Sequence, residues 1–205
     1  MAALVVYQRA ADRRRREAYE RFCLERGLAF RREQPGEERR HAGTCPLLAQ
    51  GHARHWRYTI SGTRNDVPFS AFEYQWTTGG GKSAHTHRIA AVLWTLEREA
   101  ELPPFMLTPE GLRARIAAFF GGQDVDFDDS PEFSRAYRLQ GQDEGAVRGL
   151  FTPDLRHVFA AQPGQHVAGA GRELMWWRDG RLPGPEALDQ FLMEAERIRR
   201  LFDRG

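Results

Sequence analysis

From Trp56 to Leu96 the chain repeats with a period of two, and no other feature of the sequence limits its fold as much. Successive side chains of a strand point to opposite faces. Phe72, Tyr74 and Trp76 therefore line an aromatic face, and Glu73 and Gln75 point the other way. The run Thr77 to Ser83, TTGGGKS, supplies turn residues before a second apolar strand, Arg88 to Leu96, so the two form a hairpin with a glycine-rich tip. An earlier strand, Tyr58 to Gly62, joins through an Asn65-Asp66 turn, and Phe105 to Leu107 adds a short fourth. A second hairpin runs from His166 to Ala170 and back from Glu173 to Arg178. In it Leu174 and Trp176 share one face while Met175 and Trp177 share the other, so both faces are apolar. Such a strand is either covered on both sides or offers a tryptophan to a partner, which makes Trp177 a candidate contact for another protein or a second copy of the chain.

The other elements follow a helical period. The N-terminal stretch MAALVVYQRAADRRRREAYERFCLERG has no proline or glycine before Gly27, which predicts one long helix within residues 1–30. Ala18, Tyr19, Phe22 and Cys23 can pack on the body, whereas Arg13, Arg14, Arg15 and Arg16 place charge on every side of one turn. That turn must be solvated or touch something anionic. Near the other end Leu188, Phe191, Leu192, Ala195, Ile198 and Phe202 form a clean stripe in a final helix beginning at Pro185. Between these lie a cap signature at Thr108-Pro109-Glu110 opening a helix with Leu112, Ile116, Phe119 and Phe120 on one face, a second at Ser130-Pro131-Glu132, a strand at Arg135 to Leu139, and helical segments through Ala161 capped by Asp143 or Thr152. Residues 31–53 show no period and read as a linker. Residues 54–205 read as one α+β domain, with two packed halves meeting near 121 as a variant. The expected fold class is α+β: a mostly antiparallel sheet of hairpins packed with several helices, the longest at the two ends.

A chain of 205 residues buries roughly 70% of its unfolded surface, enough to fold without a metal or disulfide. Cys23 and Cys45 are too few for a disulfide scaffold and lack metal spacing, which suits a reducing cytoplasm. The 30 basic and 28 acidic side chains are unevenly spread: residues 1–40 are net +4, 41–96 net +3 and 97–205 net −5. A basic front and an acidic back do not match the uniform footprint of a nucleic-acid binder. Of the basic residues only Lys82 is lysine, a bias that coding composition explains more simply than any need for guanidinium groups.

Several motifs resemble chemical sites and fail on inspection. Gly79-Gly80-Gly81-Lys82-Ser83 looks like the end of a phosphate-binding loop, yet Trp76 stands where that loop requires glycine, and a strand follows instead of a helix. Lys82 remains a contact candidate at the hairpin tip. His85 and His87 project from one face of a strand and could share a metal with a carboxylate from Asp124 to Asp129, Asp126 and Asp128 foremost. The acidic run is not an EF-hand, because its sixth position is Asp129 and its twelfth Arg135. No nucleophile elbow or catalytic cysteine setting appears, and no cofactor is implied.

The phrases GTRNDVPFSAFEYQW, TTGGGK, LPPFMLTPE, GQDVDFDDSPEFSRAY and FTPDLRHVF, spread over residues 55–160, resemble a group of bacterial proteins without assigned activity. In that group a short N-terminal membrane helix precedes a cytoplasmic α+β domain. This chain departs from the pattern at its start, where only Ala2 to Tyr7 is apolar. Those residues reach about 10 Å, a third of a hydrocarbon core. They are followed by arginines, the order found at the cytoplasmic end of a membrane helix and the reverse of a signal peptide. The function expected is a non-enzymatic binding or scaffolding module near the cytoplasmic membrane face, touching the membrane surface through residues 1–16. The alternative is the metal-dependent hydrolase of His85 and His87.

Overall fold

The computed structural model describes residues 2–97, 101–110 and 124–203. In chain order the elements are α1 (Ala2–Arg26), β1 (Ala29–Glu33), α2 (Glu37–Arg40), a 3-10 turn (Pro46–Ala49), β2 (His52–Arg64), β3 (Val67–Thr78), β4 (His85–Thr95), β5 (Leu102–Pro109), α3 (Pro131–Ala136), β6 (Tyr137–Gly141), α4 (Glu144–Leu150), α5 (Pro153–Ala160), β7 (His166–Gly171), β8 (Glu173–Asp179) and α6 (Pro185–Arg200). The fold is α+β. Its eight described strands form one antiparallel sheet in the order β1-β2-β3-β4-β8-β7-β5-β6.

Strands β1 to β4 form a meander, and β8 closes on β4 from Ile89 opposite Asp179 to Thr95 opposite Glu173. Both central strands are therefore apolar on both faces. Ala90, Val92, Trp94, Leu174 and Trp176 meet the helical layer, while Ile89, Ala91, Leu93, Met175 and Trp177 belong to the opposite cluster. α1 packs on β1 and β2, and α6 packs on β4 and β8, both on the first face. The second face, with Trp56, Phe72, Tyr74 and Trp76, is covered in part by the segment carrying Cys45, Leu47 and Leu48. Tyr74 fixes that segment by donating its hydroxyl to the Leu48 carbonyl at 2.7 Å.

Local signals in the sequence account for the ends of these elements. α1 stops at Gly27, whose φ of 64° suits glycine; Leu28 N–H donates to the Cys23 carbonyl and Gly27 N–H to that of Leu24, the paired bonds of a Schellman motif. Asn65 and Asp66 both take positive φ and close the β2–β3 hairpin. Asp143 and Thr152 cap α4 and α5 through their side chains. Other expectations are corrected. Thr108 and Pro109 end β5 instead of capping a helix, and the helix expected over Leu112 to Phe120 lies outside the described residues. Residues 131–136 are helical, so the strand expected from Arg135 begins at Tyr137. The stretch read as a linker carries most of β1, paired with β2, as well as α2 and the 3-10 turn.

Gly169 on β7 faces the ring of Phe105, a fully buried side chain stacked on Phe202. A Cβ there would lie 2.6 Å from Phe105 Cε1 and 3.0 Å from Leu102 Cδ1. Gly169→Ala is expected to cost about 1–3 kcal/mol by overpacking, measured as a lower urea midpoint with an unchanged m-value.

Candidate functional site

The site begins with a defect in β2. Between Arg57 and Ile60 the register with β3 slips, and Tyr58 takes φ 52°. This bulge keeps Trp56 on the aromatic face, where its indole N–H donates to Thr59 at 3.0 Å. It turns both Arg57 and Tyr58 toward α1. A row of alternating charge results across three strands, since Arg57 lies opposite Glu33 on β1 and opposite Glu73 on β3.

Glu73 is 2% exposed. The sequence places it correctly on the face away from Phe72 and Tyr74, but that face is roofed by α1. Arg15 descends from the helix and bonds Glu73 at 2.7 Å, the Leu182 carbonyl at 2.8 Å and the Tyr19 hydroxyl at 3.2 Å. Its guanidinium also sits 4.4 Å over the Tyr58 ring. Glu73 accepts a further bond from Leu182 N–H at 3.1 Å, and Arg88 Nε stands 3.4 Å from its other oxygen. Burial pushes the Tyr19 hydroxyl up to about 12 despite Arg15, so it stays a neutral donor to the carbonyls of Leu182 and Pro183. Beside this pair, Tyr58 donates to Asp12, and Asp12 also faces Arg32 at 3.0 Å and Arg57 at 3.7 Å. Burial raises the Asp12 carboxyl, but the Tyr58 bond and the two arginines outweigh it and hold the pKa below the usual aspartate value.

Around this floor runs a groove of about 1010 Å³ between α1 and the sheet. Arg9, Arg13, Arg15 and Arg16 line it from the helix, and Arg32, Arg57, Arg88 and Arg181 from the body, against Asp12 and Glu73. Arg13 and Arg16 lean on Glu17 and Glu20, one helical turn on, and Arg57 on Glu33 at 3.6 Å. Positive charge remains in excess after every such pairing. The second large concavity, about 640 Å³ between α5 and α6, has no such excess. Its Glu196 is already held by Arg64, Asn65 and Arg200.

The residues singled out in the sequence divide accordingly. Arg13, Arg15 and Arg16 come together in the groove, while Arg14 is exposed outside its lining. Arg15 is not free to meet a surface, because its anion is Glu73. Lys82 is exposed in a short 3-10 turn at the β3–β4 tip. Trp177 is 1% exposed, stacks near His166 and is not available to a partner. His85 is exposed, and His87 stacks on Trp76 at 5.0 Å and bonds Thr78 at 2.7 Å. The acidic run starts beside β6, with Asp124 bridged to Gln140 and paired with Arg138, and continues as a loop whose Asp129 is held by Arg156. Asp126 and Asp128 are exposed. Four strand spacings, about 19 Å, separate β4 from β6, so these acids do not complete a site with the two histidines. Among the described residues no group of three or more metal-binding side chains is present.

One cluster escaped sequence reasoning because its members are far apart in the chain. His41, at the end of α2, bonds the Glu173 carboxylate at 2.9 Å and faces Glu37 at 3.5 Å, while Thr44 donates to Glu173 at 2.5 Å. Burial lowers the His41 pKa, but the Glu173 bond and the charges of Glu173 and Glu37 overcome it and raise the imidazole above its ordinary value. Burial likewise raises Glu173, and His41 and Thr44 overcome that to hold it below the usual range.

No family model matches the chain, and no curated protein does. Among solved structures the chain is similar to the mycobacterial trehalose monomycolate transport factor A, TtfA, with a TM-score of 0.58, 10% identity and 92% of each chain covered. That likeness is one of fold. No described helix is long and apolar enough to cross a membrane.

Two predictions follow from these contacts. Glu73→Gln removes the buried partner of Arg15 and Arg88 and is expected to cost about 3 kcal/mol, the low end for breaking a buried pair, since both arginines retain some solvent. Chemical denaturation measures it, and faster proteolysis within α1 should accompany it. The raised His41 contributes stability that is complete below its unfolded pKa and lost as pH rises through the folded one. The lowered Glu173 contributes stability complete above its unfolded pKa and lost as pH falls. Their joint contribution is therefore greatest between the unfolded values of 4.5 and 6.5. His41→Gln should narrow stability by about 1 kcal/mol in that window, and the gap to the wild type should close in alkaline urea melts.

Proposed function

We propose that this protein is a binding module without chemistry of its own, which uses the arginine groove between α1 and the sheet to engage the anionic headgroup layer of the cytoplasmic membrane face. The observation that carries the reading is the groove itself, with eight arginines against two carboxylates along its lining. Each arginine held near an anionic leaflet contributes about 1 kcal/mol, and the contributions add while the surface lies within a Debye length. Arg9, Arg13 and Arg14 are exposed on α1, and Tyr7 is exposed one turn before Arg9's neighbours, so the helix offers charge and an amphipathic ring together. The similar fold of a trehalose monomycolate transport factor is compatible with a binding or transport-related role.

A metal-dependent hydrolase has no comparable support, given the separation of β4 from the acidic run. Nucleic acid is a weaker occupant as well. Bases need successive exposed aromatic platforms, and of the two tyrosines that line the groove only Tyr7 is exposed, whereas Tyr58 is 1% exposed beneath Arg15.

Co-sedimentation of the full chain with phosphatidylglycerol vesicles tests the proposal. Binding is expected at low ionic strength and loss of it at about 0.5 M salt. The double variant R9Q/R13Q, both residues lining the groove and neither making a buried contact, should weaken binding at least tenfold, as about 1 kcal/mol per arginine implies. Equal recovery in the supernatant with anionic and neutral vesicles would reject the membrane reading.

A further inference from the structure

The inner end of the groove is built differently from its rim. At the rim, Arg13 and Arg16 are tied to acids of their own helix. At the inner end five guanidinium groups, those of Arg15, Arg32, Arg57, Arg88 and Arg181, face three carboxylates, those of Asp12, Glu33 and Glu73. The residual charge is that of a cation pair, and it matches a phosphomonoester, which carries about −1.5 to −2 near neutral pH.

The hydrogen-bond inventory points the same way. Each guanidinium has five N–H donors in a planar fork. Arg15 uses its donors on Glu73, Leu182 and Tyr19 and is a structural group. Arg57 makes only ion pairs beyond hydrogen-bond length, at 3.6 Å to Glu33 and 3.7 Å to Asp12. Arg88 makes one hydrogen bond, to Gln75 at 2.6 Å. The Nε atoms of Arg57 and Arg88 are both buried without a hydrogen-bond partner. Arg181, exposed at the mouth, has no ion pair among the described residues, and it precedes Leu182, the residue that clamps Arg15 and Glu73. The two buried Nε atoms face Glu33 and Glu73, and apart from the Arg88–Gln75 bond the terminal nitrogens of Arg57 and Arg88 make no hydrogen bond among the described residues, so it is these forks that favour a ligand bringing several acceptor oxygens.

A carboxylate brings two oxygens and one charge. A terminal phosphate brings three oxygens and nearly twice the charge, and suits forks arriving from β2, β4 and the loop before α6. Tyr58 helps hold this geometry: its ring carries Arg15 at 4.4 Å and Arg57 at 5.3 Å, and it does so from the left-handed region of backbone space that few tyrosines occupy.

We infer that Arg57, Arg88 and Arg181 form a phosphate-selective subsite, taking a phosphomonoester or diphosphate group borne by a lipid headgroup or by a small soluble molecule. This rests on the reading of the groove as a ligand surface and adds the chemical class that it selects. No bond is made or broken in it.

The test uses the full chain and two sets of probes at constant ionic strength. Isothermal titration compares inorganic pyrophosphate with malonate, and co-sedimentation compares phosphatidic acid vesicles with phosphatidylserine vesicles matched for surface charge. Pyrophosphate is expected to bind at least tenfold tighter than malonate, and phosphatidic acid vesicles to retain more protein than phosphatidylserine ones. The double variant R57K/R88K keeps the charge but loses the forks. It should abolish both preferences, bringing pyrophosphate down to the affinity of malonate and phosphatidic acid retention down to that of phosphatidylserine. Arg181→Gln, which breaks no internal contact, should weaken pyrophosphate several-fold without altering the thermal midpoint of the free protein, and this arm stands even if the double variant folds poorly. Retention on both vesicle types without preference, together with equal affinity for the two small anions, overturns the phosphate subsite and leaves the membrane reading standing. Pyrophosphate binding with no retention on either vesicle supports the subsite, assigns it to a soluble phosphate compound and removes the membrane. No binding of any probe overturns the inference.

Discussion

The buried bond between Arg15 and Glu73 ties this molecule together. A carboxylate 2% exposed in the middle of a strand would be prohibitive alone, and it is tolerated because a helix 58 residues earlier delivers a guanidinium to it. The same contact sets the height of α1 above the sheet and brings the loop around Leu182 into line through both its N–H and its carbonyl. Hydrophobic packing of Tyr19, Phe22 and Cys23 supplies most of the adhesion of α1, but it does not specify where along its axis the helix must sit. The ion pair does.

Fixing α1 in that position creates the groove. The helix stands off the sheet where Arg15 and Tyr58 are interposed, and the β2 bulge presents Arg57 into the gap. Charge that would otherwise be dispersed on a solvated turn is thereby concentrated in a concavity, where low-dielectric walls strengthen its field. The groove thus follows from folding requirements, and the surplus of arginine over carboxylate is what separates it from an ordinary structural network.

Much of the scaffold was legible because it is written in short-range patterns. The alternation of Phe72, Tyr74 and Trp76 gave the aromatic face, Asn65-Asp66 gave the hairpin turn, and the stripe from Leu188 to Phe202 gave α6. The double-faced run Leu174 to Trp177 allowed a covered strand or an exposed tryptophan, and the helical-side cluster on one face with the cluster of Cys45, Leu47 and Leu48 on the other chose the former. The site was less legible. The arginine turn was recognisable as needing an anion, but nothing near it in the chain identifies Glu73 as the one. The bulge at Tyr58 is invisible to a period count, and the His41–Glu173 bond joins residues 132 positions apart.

The sequence by itself therefore determined the β3–β4 and β7–β8 hairpins, the Asn65-Asp66 turn, the end of α1 at Gly27 and the stripe of α6, since backbone geometry repeats every two or 3.6 residues and caps act within a turn. It also determined that a turn of four consecutive arginines must be solvated or meet an anion. The tertiary structure alone decided which charged groups meet water and which meet each other. Desolvation and ion pairing depend on what lies across a sheet or beneath a helix, and that is set by contacts between residues distant in the chain.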